Sequence, residues 1–278
     1  HLLSRGTPIA AFFDDDAISV DDPITFTLNF GLNECSCLVS SDKADFCAHY
    51  YTPVSDFLMA GHPTVATVTA MWYAGVIADD IGSFTLEGGA GVIGIDITPR
   101  DEAPSLVTMT QLAPEFLRTY EAGEIAALYG LSAEDVVGTP QTVSTGTPFC
   151  ITQLRSLTAL RAARLDVDAL RAMQATGIDF MVPFLFGRDT ENGGDTFARL
   201  MLPPPFPPDD PSTGPATGCM AEDPFAKDAV TRQFRAAQGQ DIGRPGAAEV
   251  EVLGPRDAIK GIRVGGSGVV VMRGEADI

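Results

Sequence analysis

The sequence predicts an α+β protein built from two similar halves, and three observations carry that prediction. Short alternating or β-branched runs recur along the chain, each ending at Gly, Pro, Asp or Ser, as strands do. The stretch Pro63–Val76 is rich in Ala, Val and Thr and carries no charge, which suits a helix buried on nearly every side. Gly61-His62-Pro63-Thr64 and Gly214-Pro215-Ala216-Thr217 each place a glycine turn before such a helix, one in each half.

Taken in order, the first half predicts strands at Ile9–Phe13, Cys35–Val39, Ala48–Thr52, Gly82–Glu87 and Gly91–Thr98. A helix starts at Asp22 with Pro23 in its first turn and stops before Gly31, following the preference for proline at the start and glycine past the end. The second half repeats the plan, with strands at Val136–Val143, Pro148–Thr152, Met181–Phe186 and Thr196–Leu202 and helices at Leu154–Ala163 and Val167–Gln174. Pro203–Pro211 is proline-rich and predicts a loop. The helix after Gly214 is expected to be interrupted at Pro224 and to restart over Lys227–Gln238. Ala248–Leu253 and Ile262–Glu275 read as strands, the latter around a Gly265-Gly266 turn.

Composition narrows the function. The 278 residues are 45% hydrophobic and 20% charged, an ordinary globular balance. The excess of 37 acidic over 18 basic residues gives a formal charge of −19, which repels phosphate backbones and anionic membrane surfaces and argues against both as partners. A small anionic substrate remains compatible, because a helix N-terminus attracts anions locally. No run reaches the ~18 apolar residues a membrane helix needs, and no basic n-region precedes an apolar stretch at the start. The five cysteines are scattered, with no C-x-x-C pair, which points to free thiols in a reducing cytoplasm. His1, His49 and His62 lack metal-ligand spacing, so no metal site is expected. The Walker loop, the dinucleotide G-x-G-x-x-G and the G-x-S-x-G elbow are all missing. The paired helix starts leave two readings open: plain starts, or inward-facing N–H groups that hold a carboxylate.

Five segments in register resemble one family. Asp209-Asp210-Pro211-Ser212-Thr213-Gly214-Pro215-Ala216-Thr217-Gly218 is similar to the D-P-x-T-G-S-A-T-G signature of PhzF-like proteins. Leu32-Asn33-Glu34 resembles their L-S-E-T turn, and Ala60-Gly61-His62-Pro63-Thr64 their A-G-H-P-T. Ser144-Thr145-Gly146 matches a further turn. Gln238-Gly239, Gly243-Arg244-Pro245 and Val264-Gly265-Gly266 resemble the family's tail. Relatives carry one more strand before a G-N-P turn; here Gly6-Thr7-Pro8 stands almost at the start of the numbering, so that strand is expected to be absent or to lie outside it.

The resemblance implies the diaminopimelate epimerase fold: two pseudo-symmetric domains, each an antiparallel β-barrel-like sheet wrapped around a central helix. It implies a first lobe over residues 1–108 completed by 266–278, a second over 109–265, and a site in the cleft between them. The activity implied is a cofactor-independent isomerase that moves a proton on a small organic acid, with a possible homodimer. Glu34 matches the family's base; proton abstraction from carbon needs a carboxylate whose pKa is raised toward the working pH, and burial would do that. The same carboxyl can return the proton to another carbon on the same face. His62 and Asp210 match residues that bind and polarise the substrate. Substrate contacts are carried over to Gly61, Pro63, Thr64, Gly146, Gly214, Pro215, Ala216, Thr217, Gly265 and Gly266. The plain alternatives are a surface turn for Glu34, a helix-start histidine bonded to backbone for His62, and a turn former for Asp210.

The chain also departs from the pattern. Pro215 replaces the signature serine and removes both a hydroxyl and an N–H. Thr7 replaces an asparagine, and Glu222 and Asp223 interrupt an Ala-rich helix. A different substrate or a weakened activity follows from these changes. Epimerase relatives use a cysteine at each helix start, where this chain has His62 and Pro215; Cys219 lies a turn further in, and Cys35 and Cys37 share one strand face, so core packing is expected of all three. A catalytically weakened acid-binding protein, or an epimerase or lyase on the same site, are the alternatives.

Overall fold

The fold is given by a computed structural model that describes residues 6–13, 21–53, 56–57, 60–100, 105–191, 193–204, 206–220, 233–255 and 258–275. In chain order the first part holds β1 (Ile9–Phe12), α1 (Asp21–Asn29), β2 (Glu34–Val39), β3 (Phe46–Tyr51), β4 (Asp56–Phe57), α2 (His62–Tyr73), β5 (Ser83–Gly88), β6 (Gly91–Thr98) and β7 (Leu106–Gln111). The rest holds β8 (Glu115–Thr119), α3 (Ala122–Ala127), β9 (Val136–Ser144), β10 (Pro148–Leu154), α4 (Leu157–Ala162) and α5 (Val167–Gln174). It continues through β11 (Pro183–Gly187), β12 (Thr196–Met201), β13 (Asp209–Asp210), α6 (Gly214–Met220), β14 (Gln233–Gln238), β15 (Gly246–Leu253) and β16 (Gly261–Gly266). The chain forms two compact units: His1–Gln111 with Arg263–Ile278, and Leu112–Ile262.

The two units repeat one strand grammar. In the first, β1 pairs parallel to β2, β2 antiparallel to β3, β3 parallel to β5, and β5 antiparallel to β6. In the second, β10 pairs parallel to β11, β11 antiparallel to β12, β12 parallel to β14, and β14 antiparallel to β15. The two-residue strands β4 and β13 pair antiparallel to β3 and β12, the equivalent places. These sheets are mixed, where the resemblance implied antiparallel ones. The physical reason is the connections: a parallel pair needs a crossover rather than a hairpin. Three of the four parallel pairs have α1, α2 or α4 with α5 between their strands, and α6 lies between β12 and β14.

Each unit buries one helix. Pro63 stands in the first turn of α2, where its missing N–H costs nothing. The helix ends at Gly75, whose φ of +75° suits glycine. Val68 and Met71 are wholly buried, and α2 packs on β1, β2 and β7. Its threonines fit an apolar setting because Thr64, Thr67 and Thr69 each donate to the carbonyl four residues back, at 2.7–2.8 Å. All seven residues of α6 are buried, against β9, β10 and β15.

Several expected elements differ. Gln233–Gln238 is a strand, not the end of a helix; its helix-forming residues are overridden by backbone ladders to β12 and β15 on either side. The remainder of that expected helix, with Pro224, Glu222 and Asp223, lies outside the described residues. Gly265-Gly266 is not a turn but the end of β16, and residues 267–275 are not a strand. A Cβ on Gly265 would sit 2.9 Å from Thr108 Oγ1 and 3.1 Å from Leu106 Cδ1, so glycine is there for close strand packing. The helix expected from Leu154 starts at Leu157, because β10 runs on to Leu154 and Ser156 caps α4 through its hydroxyl. The strands β7 and β8 and helix α3 were not anticipated.

Candidate active site

Glu34 opens β2 and His62 opens α2. Nε2 of His62 lies 2.6 Å from Oε2 of Glu34, and the two side chains are only 16% and 20% exposed. The approach is close but off the alignment of a good hydrogen bond. The pair is thus shielded yet reachable. Behind it, Cys35, Cys37 and Tyr51 form a buried cluster with Ala10, Phe12 and Ile24, which makes β2 a fixed base for the carboxylate. No side chain caps α2, so the N–H groups of its first turn and the positive end of its dipole lie beside His62.

Gly61, Pro63 and Thr64 are buried around this start. Thr64 Oγ1 lies 2.6 Å from the hydroxyl of Tyr50, and burial pushes that phenol up, well above its usual range. Gly265 and Gly266 belong to the same unit, where a Cβ on Gly266 would stand 3.5 Å from Val65.

The second unit holds the other expected residues. Asp210 accepts from the Ser212 N–H at 3.3 Å and from the Thr213 hydroxyl at 2.5 Å, so its carboxylate helps fix its own turn. Gln238 closes the loop: its Nε2 donates to the Asp210 carbonyl at 2.7 Å and to Thr213 Oγ1 at 2.9 Å, and its Oε1 accepts from the Thr213 N–H at 3.2 Å. Sequence reasoning missed Gln238 and Thr213 as the loop's anchors, although both sit inside quoted motifs. Gly146 has a φ of +131° and donates to Ser144 Oγ at 3.2 Å, which is hairpin-turn geometry. Gly214, Pro215, Ala216 and Thr217 are buried in α6.

The topological repeat makes the two helix starts comparable. Thr64 donates to the Ala60 carbonyl at 2.8 Å and Thr217 to the Thr213 carbonyl at 2.9 Å, so His62 and Pro215 occupy equivalent places. By ladder register Cys37, opposite His49, corresponds to Leu185, opposite Arg199, so Glu34 corresponds to Val182, the residue before β11. Neither Val182 nor Pro215 carries an ionisable side chain.

The cysteines are packing groups. Cys219 is wholly buried, and burial pushes its thiol up to about 11. Burial likewise raises Cys37 and Cys150 to about 12 and lifts Cys35 and Cys47. A raised thiol stays neutral below its folded pKa, so none supplies a thiolate near pH 8. Folded protein at pH 8 is expected to give almost no rapid reaction with a disulfide reagent, and all five thiols to react in guanidinium. One fast-reacting thiol in the folded protein would contradict this.

A mixed α/β fold that sets a shielded carboxylate beside an imidazole suits an isomerase. The comparisons agree: the family model described as phenazine biosynthesis-like protein, PhzC-PhzF, matches residues 2–274. The chain belongs to that family. It is 26% identical over 261 residues to the uncharacterized isomerase YfhB of Bacillus subtilis, covering 89% of this chain and 86% of that protein. It is 24% identical over 274 residues to the trans-2,3-dihydro-3-hydroxyanthranilate isomerase of Pseudomonas chlororaphis, covering 97% and 93%. The crystal structure of a PhzF-family phenazine biosynthesis protein of Bacillus anthracis superposes with a TM-score of 0.79 at 24% identity, covering 92% and 89%. Among the described residues no helix is long and apolar enough to cross a membrane.

Proposed function

We propose that this isomerase moves a proton between two carbons of a small carboxylate-bearing substrate, with Glu34 as the only proton carrier. The observation that carries the reading is the 2.6 Å contact of Glu34 with His62, set against Val182 and Pro215 at the equivalent places of the second unit. A one-carboxyl site takes and returns the proton on one face of the substrate, which suits isomerisation and not the two-sided exchange of a racemase. His62 polarises the substrate's polar group beside the breaking C–H bond. The uncapped start of α2 attracts the substrate carboxylate. Asp210 acts through its loop as a positioning residue, since its oxygens already hold Ser212 and Thr213. In this reading each sheet curls around its buried helix as in diaminopimelate epimerase, and no cofactor takes part.

Trans-2,3-dihydro-3-hydroxyanthranilate, named for the Pseudomonas relative, is the first probe, followed by a panel of cyclic and amino acids. Conversion of any one in deuterated water, followed by NMR, is the expected result. Tight binding across the panel with neither conversion nor exchange would overturn it in favour of an acid-binding protein. That second reading draws on Pro215, which offers α6 neither a hydroxyl nor an N–H.

A further inference from the structure

Ser36 and Tyr50 are direct partners across the β2–β3 ladder, so their side chains share one face. Both reach α2: Ser36 Oγ lies 2.6 Å from Thr67 Oγ1, and the Tyr50 hydroxyl lies 2.6 Å from Thr64 Oγ1. Thr64 and Thr67 are three residues apart and so face the same way on the helix. The proton count fixes the direction of each bond. Thr67 has one hydroxyl hydrogen and gives it to the Pro63 carbonyl at 2.7 Å, and Thr64 gives its own to the Ala60 carbonyl at 2.8 Å. Ser36 and Tyr50 must therefore be the donors to the two threonines.

Two carbonyls flanking His62 are thereby held, at Ala60 and Pro63. At the other end, Ser36 stands two residues beyond Glu34 on the same strand and face. All four residues are buried, each less than 4% exposed, where water does not compete for the bonds and an unmade one is costly. An apolar contact would let β2 and α2 slide; two crossed hydroxyl bonds do not.

We propose that Ser36, Tyr50, Thr64 and Thr67 form a hydroxyl clamp that sets the spacing of Glu34 and His62, making them positioning residues for proton transfer. The catalytic part of this rests on the reading of that pair given above; the clamp itself does not. The test therefore uses protein without substrate. With only three histidines in the chain, the His62 ring signals of isotope-labelled protein are assignable by substitution. The change those signals undergo on Glu34→Gln is measured in the wild-type, Ser36→Ala, Thr67→Val and Thr67→Ser backgrounds at one pH. The change is expected to shrink roughly two-fold or more in Ser36→Ala and Thr67→Val and to recover in Thr67→Ser, as coupling between neighbours does when their geometry is released. An undiminished response in the first two backgrounds overturns the clamp. Should Thr67→Val not fold, Ser36→Ala, which removes one hydroxyl alone, decides. The expected coupling pattern in a wild type that converts none of the acids would strike the isomerase reading instead and leave the clamp standing.

Discussion

Glu34→Gln is expected to lower turnover of a converted acid by about 10²–10⁴-fold, the usual contribution of one general acid/base group. Glutamine keeps the size of the side chain and a polar neighbour for His62, so strand β2 and the cluster of Cys35, Cys37 and Tyr51 behind it should be undisturbed. It cannot accept a proton from carbon. Affinity for the acid is therefore expected to stay within a few-fold of wild type while kcat falls, a split that marks an interaction made only in the transition state. Initial rates beside a binding titration of the same variant check this. A variant that keeps wild-type kcat would remove Glu34 from the chemistry.

Gly239→Ala is expected to be the most damaging single methyl in the second unit. Gly239 has a φ of +84°, a conformation that side chains adopt at a cost. Its added Cβ would collide with the Arg244 carbonyl oxygen and stand 2.8 Å from that of Pro211. Both neighbours are backbone and cannot swing aside. A loss of about 4 kcal/mol follows from strain and overlap together, read by chemical denaturation against wild type. The effect reaches the signature loop, because Gln238, the preceding residue, holds Asp210 and Thr213. Stability within about 0.5 kcal/mol of wild type, the range of an ordinary surface change, would show the backbone there to be adjustable.

Much of the architecture was legible because it rests on local signals. The uncharged run of α2 is read from neighbours in the chain, and the helix over Val167–Gln174 has the predicted bounds. Strand β6 likewise spans Gly91–Thr98 as read. The misreadings share a cause. Gln233–Gln238 carries helix formers but is ordered by ladders to residues 40 positions away in β12 and by β15, which no local preference reveals. Gly265-Gly266 looked like a turn because glycine pairs do so locally; the reason for Gly265 is Leu106 and Thr108, far off in sequence. The mixed strand directions were missed because pairing direction is set by crossovers, not by residue type.

The site divides the same way. Glu34 and His62 stood in quoted motifs, and their contact at 2.6 Å is a tertiary fact that spacing alone does not give. The motif around Asp210 suggested a substrate contact; its bonds to Ser212 and Thr213 are again tertiary detail that the motif does not give. The hydroxyl clamp was invisible, since Ser36, Tyr50, Thr64 and Thr67 reveal nothing until β2, β3 and α2 are brought together.

The most direct measurement follows one atom. A converted acid is deuterated at the carbon that loses its proton and incubated with wild-type enzyme, and early product is analysed by NMR and mass spectrometry. Deuterium should leave that carbon in every product molecule, with a fraction reappearing at the receiving carbon, as delivery by a single shielded carboxyl requires. Product that keeps all its deuterium where it began would mean that the bond assigned to Glu34 is never broken.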